Sequence, residues 1–600
     1  MSNRILAGGC FVIWLGFIGF SQPLCAEYRS LDGSANNLNI TAQGAANTPI
    51  IRFQYAAFYP GDGRGTTMLQ PPAAPNPRAL SNSFAQAFAD RVDSRGLLEN
   101  SRNLSDYIWQ WGQFLTHDLD LSTQSAANGV NPIAVPTGDP QFDPLHTGTQ
   151  IIPFTRSDFV ISPATQIREQ LNRVTSYIDA SQVYGSDATR ARALRTLNDG
   201  KLLTSAGNLP GFNTGGFLND NNNPSLTADQ LFFTGDVRAN EQVGLTALHT
   251  VFLREHNRLA DLIAARQAAS LPADPIARDE EIYQRARRIV GAEMQIITYR
   301  EFLPALMGQF APRAESYSYL DFIDASVTQT FSHALFRIGH SQNSPTIQLV
   351  NGNGQIIDSL SLRDGFFNPA LLRDNPDHVN QILRGLAVQR AQATDLHYVE
   401  ELRSFLFGPP GAGGLDLLAL DIQRGRDHGL PSYNQSLLAY AGDFRATVQQ
   451  ITPDVELQAV LTDLYDIDID PNNIGNIDLI VGALAEPQFF GELGQSAFIV
   501  IDNQFRRLRD GDRFFYLGEA AGLYDNINGE YALRSEIRDL LDLDQLTLSR
   551  VIKWNTDIGY LPENVFFAGP VPEPSGLVMI GLSGAGAFWF LRYRKRAGGV

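Results

Sequence analysis

Hydrophobic side chains recur at spacings of three and four residues in several long stretches, a pattern that places them along one face of a helix. Four such stretches predict amphipathic helices: Leu104–Leu121, Glu241–Arg266, Asp279–Leu303 and Val379–Gln392. Alternation of period two is clear only over Thr346–Leu362, where Asn351–Gly354 supplies a turn, and it predicts one β-hairpin. The pattern therefore predicts a mainly α protein with little β structure.

Nothing in the pattern divides the chain into several domains. It contains no internal repeat of fixed period and no long low-complexity linker. Residues 28–100 are rich in Asn, Gly and Pro and predict an extended arm over the body of the protein, and residues 205–225 predict a second loop. We therefore predict a single large domain spanning residues 27–569.

The amino-terminal segment has the parts of a secretory signal peptide. Arg4 precedes an apolar run from Ile5 to Phe20, and the small residue Ala26 follows a polar break. The run is shorter than the roughly 20 residues that a spanning helix needs, although an uncleaved anchor is the alternative. We predict removal of residues 1–26, which contain both cysteines, so the exported chain would carry no disulfide.

The carboxyl-terminal segment, residues 570–600, also has three parts. Val571–Ser575 reads Val-Pro-Glu-Pro-Ser, Gly576–Leu591 is apolar, and Arg592–Arg596 is basic. This tail resembles the PEP-CTERM sorting signal, and the resemblance implies transient membrane association followed by removal. An ordinary membrane anchor is the alternative. Either reading implies an exported protein, extracellular or at the cell surface.

Composition excludes one class of function. The chain has 600 residues, of which 44% are hydrophobic and 18% charged, with a net charge of -18 and a pI near 4.9. These proportions suit a protein with a large core. The acidity argues against a nucleic-acid binder, which needs cationic side chains against phosphates. Without disulfides, an exported chain depends for stability on its core and on any bound metal or cofactor.

The first candidate site lies on the predicted helix over Leu104–Leu121. Trp109, Gln113 and His117 recur at four-residue spacing and so share one stripe of it. Imidazole is suited to moving protons near neutral pH, and a neighbouring amide can order water or peroxide beside it. Taken alone, such a histidine is more often a structural residue.

The second candidate site is a string of oxygen ligands. Thr175 offers its hydroxyl and carbonyl, Tyr177 its carbonyl, Asp179 its carboxylate and Ser181 its hydroxyl. Calcium takes roughly six to eight oxygen ligands, so Asp118, beside His117, is the candidate second carboxylate. In isolation this string is commoner as an Asx or Ser/Thr turn.

The third candidate site is Gly235–Glu241, directly before the second predicted helix. Arg238 remains protonated and can stabilise negative charge while an oxygen-oxygen bond breaks. The alternatives are a helix cap or a surface ion pair for Arg238, and a first-turn acid favoured by the helix dipole for Glu241.

The fourth candidate site is Phe336–His340. Gly339 allows a flat partner such as haem to approach His340, whose imidazole can bind iron through one ring nitrogen. The other ring nitrogen then needs an acceptor that fixes the tautomer, and Asp421 is the candidate. Arg424, three residues later, is a candidate partner for a haem propionate.

These four segments, in this order, resemble the animal-type haem peroxidases, including peroxidasin-like and bacterial members. The resemblance extends from Arg29 to Phe566. It implies a mostly helical single domain that holds haem b between His117 and His340. It also implies reduction of hydrogen peroxide through an oxoferryl intermediate, with an organic donor or a halide oxidised in turn.

The resemblance also assigns the remaining roles. Arg238 would stabilise charge beside the acid-base residue His117, and Gln113 would lie with them on the peroxide side of the iron. Arg337 and Arg424 match polar positions on the other side of the haem. The residues that match the family's calcium ligands are Asp118, Thr175, Tyr177, Asp179 and Ser181.

Three positions depart from the family's common pattern. Thr116 stands where many members have Asp, Gln242 where a few have Met, and Asp421 where most have Asn. The first change excludes a second ester bond and the second excludes a sulfonium bond, so at most one covalent bond between haem and protein is expected, through Glu241. The third places a carboxylate behind His340, which favours oxidised iron.

Two other functions remain open. Some relatives oxygenate fatty acids through a tyrosyl radical three residues before the proximal histidine, but Arg337 occupies that position here. A matrix or adhesion protein with a vestigial haem site is the second alternative, since the tail implies association with the cell surface or an exopolysaccharide. The presence of His117, Arg238 and His340 argues against such decay.

Overall fold

The computed structural model describes residues 27–53, 74–411 and 413–570. The predicted signal peptide and residues 571–600 of the predicted sorting tail lie outside the described residues. Within the described ranges, no helix combines the length and the apolar character that crossing a membrane requires.

Helices dominate the described chain. The first half of the chain contains α1 (Pro77–Ala87), α2 (Tyr107–Leu119), α3 (Ser181–Tyr184), α4 (Ala188–Ala193), α5 (Val243–Arg266), α6 (Pro275–Ile297) and α7 (Leu303–Met307). The second half contains α8 (Gln329–Ser332), α9 (Leu362–Gly365), α10 (Pro369–Asp374), α11 (His378–Val388), α12 (Glu400–Arg403), α13 (Leu417–Asp427), α14 (Tyr433–Ala441), α15 (Val448–Ile451), α16 (Val455–Leu464), α17 (Leu479–Ala485), α18 (Gln495–Asp510), α19 (Ser535–Arg538) and α20 (Leu548–Trp554).

The strands are short and lie in small antiparallel sheets. They are β1 (Thr48–Pro49), β2 (Ile133–Ala134), β3 (Ile151–Ile152), β4 (Phe159–Ile161), β5 (Arg168–Asn172), β6 (Thr346–Val350), β7 (Ile356–Ser361), β8 (Tyr524–Ile527) and β9 (Glu530–Leu533). The pairings are β1-β5-β4, β2-β3, β6-β7 and β8-β9. The predicted hairpin is confirmed as β6-β7, with Thr346 opposite Ser361. The prediction of a single hairpin is wrong, because strands of two to five residues are too short to show a periodicity.

All four predicted helices are present as α2, α5, α6 and α11, with shifted ends. Gln389 adopts an extended backbone, so α11 ends at Val388 rather than at Gln392. Beyond α6, the chain continues through a π-helical turn, Thr298–Phe302, into α7. The predicted arm is extended only in part, because α1 interrupts it. Asn76 caps α1 by accepting a hydrogen bond from the Ala79 amide, and Pro77 begins the helix.

The main hydrophobic core joins residues from Ile50 to Phe566, as the single-domain prediction requires, and a second small cluster contains Ile133, Val135, Ile152 and Ala419. The long helices α5 and α6 pack against each other near its centre, and α2 packs against α3, α5 and the 3₁₀ segment Leu335–His340. This packing places the helix that carries His117 beside the segment that carries His340. The candidate site is therefore built on α2, α13, the 3₁₀ segment Leu335–His340 and the loop that precedes α5.

Candidate active site

A cavity of about 820 Å³ lies between α2, the start of α5, the segment Leu335–His340 and α13. Such a volume suits a cofactor-sized ligand. Seven of the predicted site residues line it: Gln113, His117, Arg238, Glu241, Arg337, His340 and Arg424. Asp421 lies behind His340, and the predicted calcium ligands lie behind His117, away from the cavity lining.

On one wall, His117 is held between two acidic side chains. Its ring is almost fully buried, with Nδ1 3.5 Å from Asp236 Oδ1 and Nε2 3.6 Å from Glu241 Oε2. Trp109 and Gln113 line the same cavity from the preceding turns of α2, which confirms the predicted stripe. An imidazole between two carboxylates is well placed to gain and lose a proton.

Arg238 is fixed beside His117 by Asp236. Nε and Nη2 donate to the two carboxylate oxygens of Asp236 at 2.9 and 2.8 Å, and Nη2 also donates to the Asp120 carbonyl at 2.8 Å. Burial by itself would raise the pKa of Asp236, but the charges of Arg238 and His117 hold that pKa well below its ordinary value. The guanidinium is therefore a permanent positive charge in a fixed orientation.

A chain of amides fixes the orientation of Gln113. Gln242 caps α5 by accepting the Gly244 amide on Oε1 at 2.6 Å, so its Nε2 must be the donor. This Nε2 donates to Gln110 Oε1 at 2.6 Å and to Gln113 Oε1 at 3.0 Å. Gln113 in turn donates from Nε2 to Glu241 Oε2 at 2.9 Å. A backbone amide thus decides which end of the Gln113 amide faces Glu241 and the cavity.

Glu241 is ionised in this arrangement. Burial would raise the pKa of its carboxyl group, but His117, 3.6 Å away, and the charge of Arg238 lower that pKa below its ordinary value. Thr116, which also lines the cavity, donates its hydroxyl to the Gly112 carbonyl of its own helix at 2.9 Å. Of the positions considered for haem attachment, only Glu241 therefore presents a carboxylate.

On the opposite wall, His340 is held from behind by Asp421. Nδ1 of His340 lies 2.7 Å from Asp421 Oδ2, and Arg337 Nη1 donates to Oδ1 of the same carboxylate at 3.0 Å. Asp421 is buried, yet the charges of His340 and Arg337 outweigh the effect of burial and lower its pKa. The contact predicted between Asp421 and His340 is present in the structure.

Arg424 lies one helical turn beyond Asp421 on α13 and faces the same cavity. Nη1 donates to the Thr155 carbonyl at 3.0 Å and to Ser157 Oγ at 2.9 Å, and the guanidinium lies 4.1 Å from the centre of the Phe154 ring. Burial lowers its pKa to about 10, which leaves it cationic at neutral pH. It can offer a positive charge to an anionic group at this end of the cavity.

The predicted calcium ligands come together directly behind His117. Asp118 accepts the backbone amides of Asp179, Ala180 and Ser181 at 3.0, 3.1 and 2.6 Å, and Thr175 donates its hydroxyl to Asp179 at 3.1 Å. Ala180 adopts the left-handed conformation, φ 64°, which turns successive amides towards one carboxylate. The loop Thr175–Ser181 is thereby attached to α2 beside the candidate acid-base residue.

The donor sets fit the two groups that the sequence predicts. Asp421 occupies Nδ1 of His340, which leaves Nε2 for a metal, and the His340 ring is 32% exposed to the cavity. At the loop, burial raises the pKa of both Asp118 and Asp179, and Oδ2 of Asp179 has no hydrogen-bond partner within the described chain. A divalent cation would compensate both buried carboxylates.

The described residues contain no cluster of three or more His, Cys, Asp or Glu side chains suited to a metal ion. A cation at Asp118 and Asp179 would therefore complete its shell with the hydroxyl and carbonyl oxygens of Thr175, Tyr177 and Ser181. This agrees with the hard-oxygen chemistry expected for calcium.

Sequence reasoning missed several residues that the geometry places in or behind the site. Asp236 lies only two residues before Arg238, so an acidic residue this close to the arginine could have been predicted as its partner. Tyr398 and Gln110 had no comparable signal, because the contacts that make them relevant join segments far apart in the chain. The Tyr398 hydroxyl lies 3.4 Å from Asp421 Oδ2.

Comparison with known proteins decides the family. The profile of the family described as animal haem peroxidase matches residues 28–566. The chain belongs to the animal haem peroxidase family. This peroxidase is 32% identical over 572 residues to peroxinectin A of Dictyostelium discoideum, covering 93% of this chain and 98% of that relative. It is a haem-dependent oxidoreductase, and members of its family bind haem and typically calcium.

Solved structures confirm the predicted fold. The structure of peroxidase A from Dictyostelium discoideum superimposes with a TM-score of 0.77 and 32% identity, covering 90% of this chain and 99% of the other. A fatty acid alpha-dioxygenase from Arabidopsis thaliana superimposes with a TM-score of 0.68 and 20% identity, covering 90% and 83%. At that identity the second likeness concerns the fold alone.

Proposed function

We propose that this peroxidase reduces hydrogen peroxide at a haem b held between His117 and His340, and oxidises a small organic donor or a halide. The observation that supports this most is the placement of both histidines on one cavity, with the Asp421 carboxylate on the far ring nitrogen of His340. Bound haem would supply the redox-active iron at which peroxide is reduced.

The residues around His117 would divide the work on peroxide. His117 would accept the proton of the attacking peroxide oxygen and return it to the leaving oxygen as water forms, an acid-base role typically worth about 10² to 10⁴ in rate. Arg238 would stabilise the negative charge that develops while the oxygen-oxygen bond breaks. Gln113, held as a hydrogen-bond donor by Gln242, would orient water or peroxide beside them.

The opposite wall would hold the cofactor. Asp421 would keep the proton of His340 on Nδ1, so that Nε2 binds iron, and it would make the imidazole a stronger electron donor. Arg337 would steady Asp421, and Arg424 would pair with a haem propionate.

Of the three positions compared for haem attachment, Glu241 would be the one able to form an ester. Thr116 offers a hydroxyl that is bonded within its own helix, and Gln242 offers an amide in place of a thioether. Mass spectrometry of proteolysed, peroxide-treated protein tests this. Haem attached to the peptide containing Glu241 is expected, whereas haem attached to the peptide containing Thr116 would contradict the proposal.

We also propose that calcium binds Asp118, Thr175, Tyr177, Asp179 and Ser181, with Tyr177 contributing its backbone carbonyl. Its role would be structural, because the set contains oxygen ligands alone and joins a loop to the residue that follows His117. Export through the amino-terminal signal and processing of the carboxyl-terminal tail remain predictions from the sequence. Mass spectrometry of the secreted protein would test both ends.

A fatty-acid dioxygenase is the less favoured function. The residue three positions before His340 is Arg337, and its guanidinium is bonded to Asp421 rather than offering a phenol to a substrate. An absorption spectrum and an activity assay distinguish a peroxidase from a purely adhesive protein. An adhesive protein with a vestigial site would have neither bound haem nor peroxide-dependent activity.

The deciding experiment combines spectrum and activity in three variants. The purified protein is expected to show a Soret band and to oxidise a dye only when peroxide is present. His340→Ala should lose stable haem, whereas His117→Ala should keep haem but react slowly with peroxide. His146→Ala, at an exposed position, is the matched control. A His117→Ala variant that reacts as fast as the parent would contradict the acid-base assignment.

A further inference from the structure

A buried phenol lies next to the carboxylate that holds the proximal histidine. Tyr398 is almost fully buried, and its hydroxyl lies 3.4 Å from Asp421 Oδ2. The same oxygen is 2.7 Å from His340 Nδ1. The Tyr398 phenol, the Asp421 carboxylate and the His340 imidazole thus form one row of hydrogen-bonded groups that ends at Nδ1 of His340.

The row has a feature that ligand positioning does not explain. Asp421 already accepts hydrogen bonds from His340 and Arg337, so a third donor adds little to holding the ring. Burial and the charge of Asp421 raise the pKa of Tyr398 well above its ordinary value, so the phenol keeps its proton. Such a phenol can release its proton to Asp421 only when it also loses an electron, because an oxidised phenol is a strong acid.

We propose that Tyr398 is a one-electron redox site of this peroxidase. The inference rests on the proposed haem site. In the step, the Tyr398 ring loses one electron to the peroxide-oxidised haem, the hydroxyl O–H bond breaks, and its proton forms a new O–H bond with Asp421 Oδ2. A neutral tyrosyl radical remains. A reducing donor later supplies one electron, and the proton returns from Asp421 to the phenol oxygen.

Two other buried tyrosines lack this connection. The hydroxyl of Tyr107 donates to a neutral backbone carbonyl, that of Leu383, at 2.9 Å. The hydroxyl of Tyr433 donates to the carboxylate of Glu486 at 2.6 Å, but Glu486 accepts its other hydrogen bonds from Ser496. Tyr433 therefore has a proton acceptor without a route to His340, which makes Tyr433→Phe the matched control.

The test is freeze-quench electron paramagnetic resonance of the haem-loaded enzyme after addition of peroxide without a donor. The parent should give a tyrosyl signal that narrows when its tyrosines are ring-deuterated. Tyr398→Phe should lose at least nine-tenths of that signal, and Tyr433→Phe should keep it. Asp421→Asn, which keeps the phenol but removes the anionic acceptor, should give less than half of the parental yield.

The outcomes separate the inference from the proposed function. Absence of a Soret band in the parent would remove the haem site itself. A parent whose haem spectrum changes with peroxide but which forms no tyrosyl radical would overturn the assignment of Tyr398 alone, as would an unchanged signal in Tyr398→Phe. If that variant loads haem poorly, a fluorinated tyrosine placed at position 398 should add fluorine splitting to the signal, and an unaltered spectrum would refute the proposal.

Discussion

Asp236 lies between His117 and Arg238 on one wall of the cavity, so Asp236→Asn tests how that wall is held together. The carboxylate is fully buried and accepts two hydrogen bonds from the guanidinium of Arg238 and one from its backbone amide, all between 2.8 and 2.9 Å. The amide of asparagine retains one acceptor oxygen and turns a donor towards Nη2 of Arg238. The variant therefore loses a charge and one of the two side-chain hydrogen bonds.

The expected cost follows from burial. Removing one partner of a buried ion pair leaves an uncompensated charge and typically costs about 3 to 5 kcal/mol of stability. For a domain of this size, 1 kcal/mol corresponds to roughly 1 °C in Tm, so a fall of about 3 to 5 °C is expected. Because Arg238 would also lose its fixed orientation, the rate of reaction with peroxide should fall at least about tenfold, where complete loss of such a donor costs roughly 10² to 10³.

Thermal unfolding and stopped-flow absorbance of the haem-loaded protein give both quantities. Glu401→Gln is the matched control, since its ion pair with Arg363 at 3.1 Å is partly exposed and such pairs contribute about 1 kcal/mol or less. Asp236→Asn with the stability and peroxide rate of Glu401→Gln would show that Asp236 does not hold Arg238.

Three further predictions concern other parts of the site. Removing calcium with a chelator should perturb the haem spectrum, because Asp118 follows His117 directly, and fully active protein that contains no calcium would contradict the calcium site. Asp421→Asn should be easier to reduce than the parent in spectroelectrochemistry, because a neutral amide no longer stabilises ferric iron through His340; an unchanged potential would count against the contact. Burial raises the pKa of Asp106 from 3.8 to about 8, so the protonated carboxyl stabilises the fold at low pH and this stability is lost as pH rises towards 8. The Tm of Asp106→Asn relative to that of the parent should therefore rise by about 1 to 3 °C as the pH is raised from 5 to 8. A Tm difference that does not change with pH would refute the assignment.

The sequence was sufficient for the long helices because each buries a wide apolar stripe, and such a stripe repeats often enough to be recognised. Element ends were less predictable. The four-residue error at the end of α11 arises because the amides of Ala391 and Gln392 donate to the carbonyls of Leu104 and Gln342 instead of continuing the helix. The π turn after α6 has no signal in the apolar pattern. The small sheets were missed because two to four paired residues carry no measurable alternation.

The candidate site likewise contains residues that the sequence predicts and residues that it does not. His117, Arg238 and His340 belong to compact motifs whose chemistry is visible in a few adjacent letters. The residues that support them are not visible in this way, because their contacts join distant positions. Tyr398 contacts Asp421 across 23 positions, and Gln242 contacts Gln110 across 132. Contacts of this kind depend on how helices pack, and a single sequence records no trace of that packing.

The relative position of His117 and Arg238 depends on a close backbone contact at Gly235. A Cβ atom at Gly235 would collide with the carbonyl of Ser181 and the amide of Gly185, so only glycine lets the Arg238 loop lie this close to α3. The Asp236 amide donates to the Gln182 carbonyl at 3.0 Å from that position. Because Ser181 is bonded at the same time to Asp118, the residue after His117, a single loop sets the distance between the proposed acid-base residue and the proposed charge stabiliser. The proposed calcium ligands would therefore influence the proposed peroxide chemistry through geometry, although none of them lines the cavity.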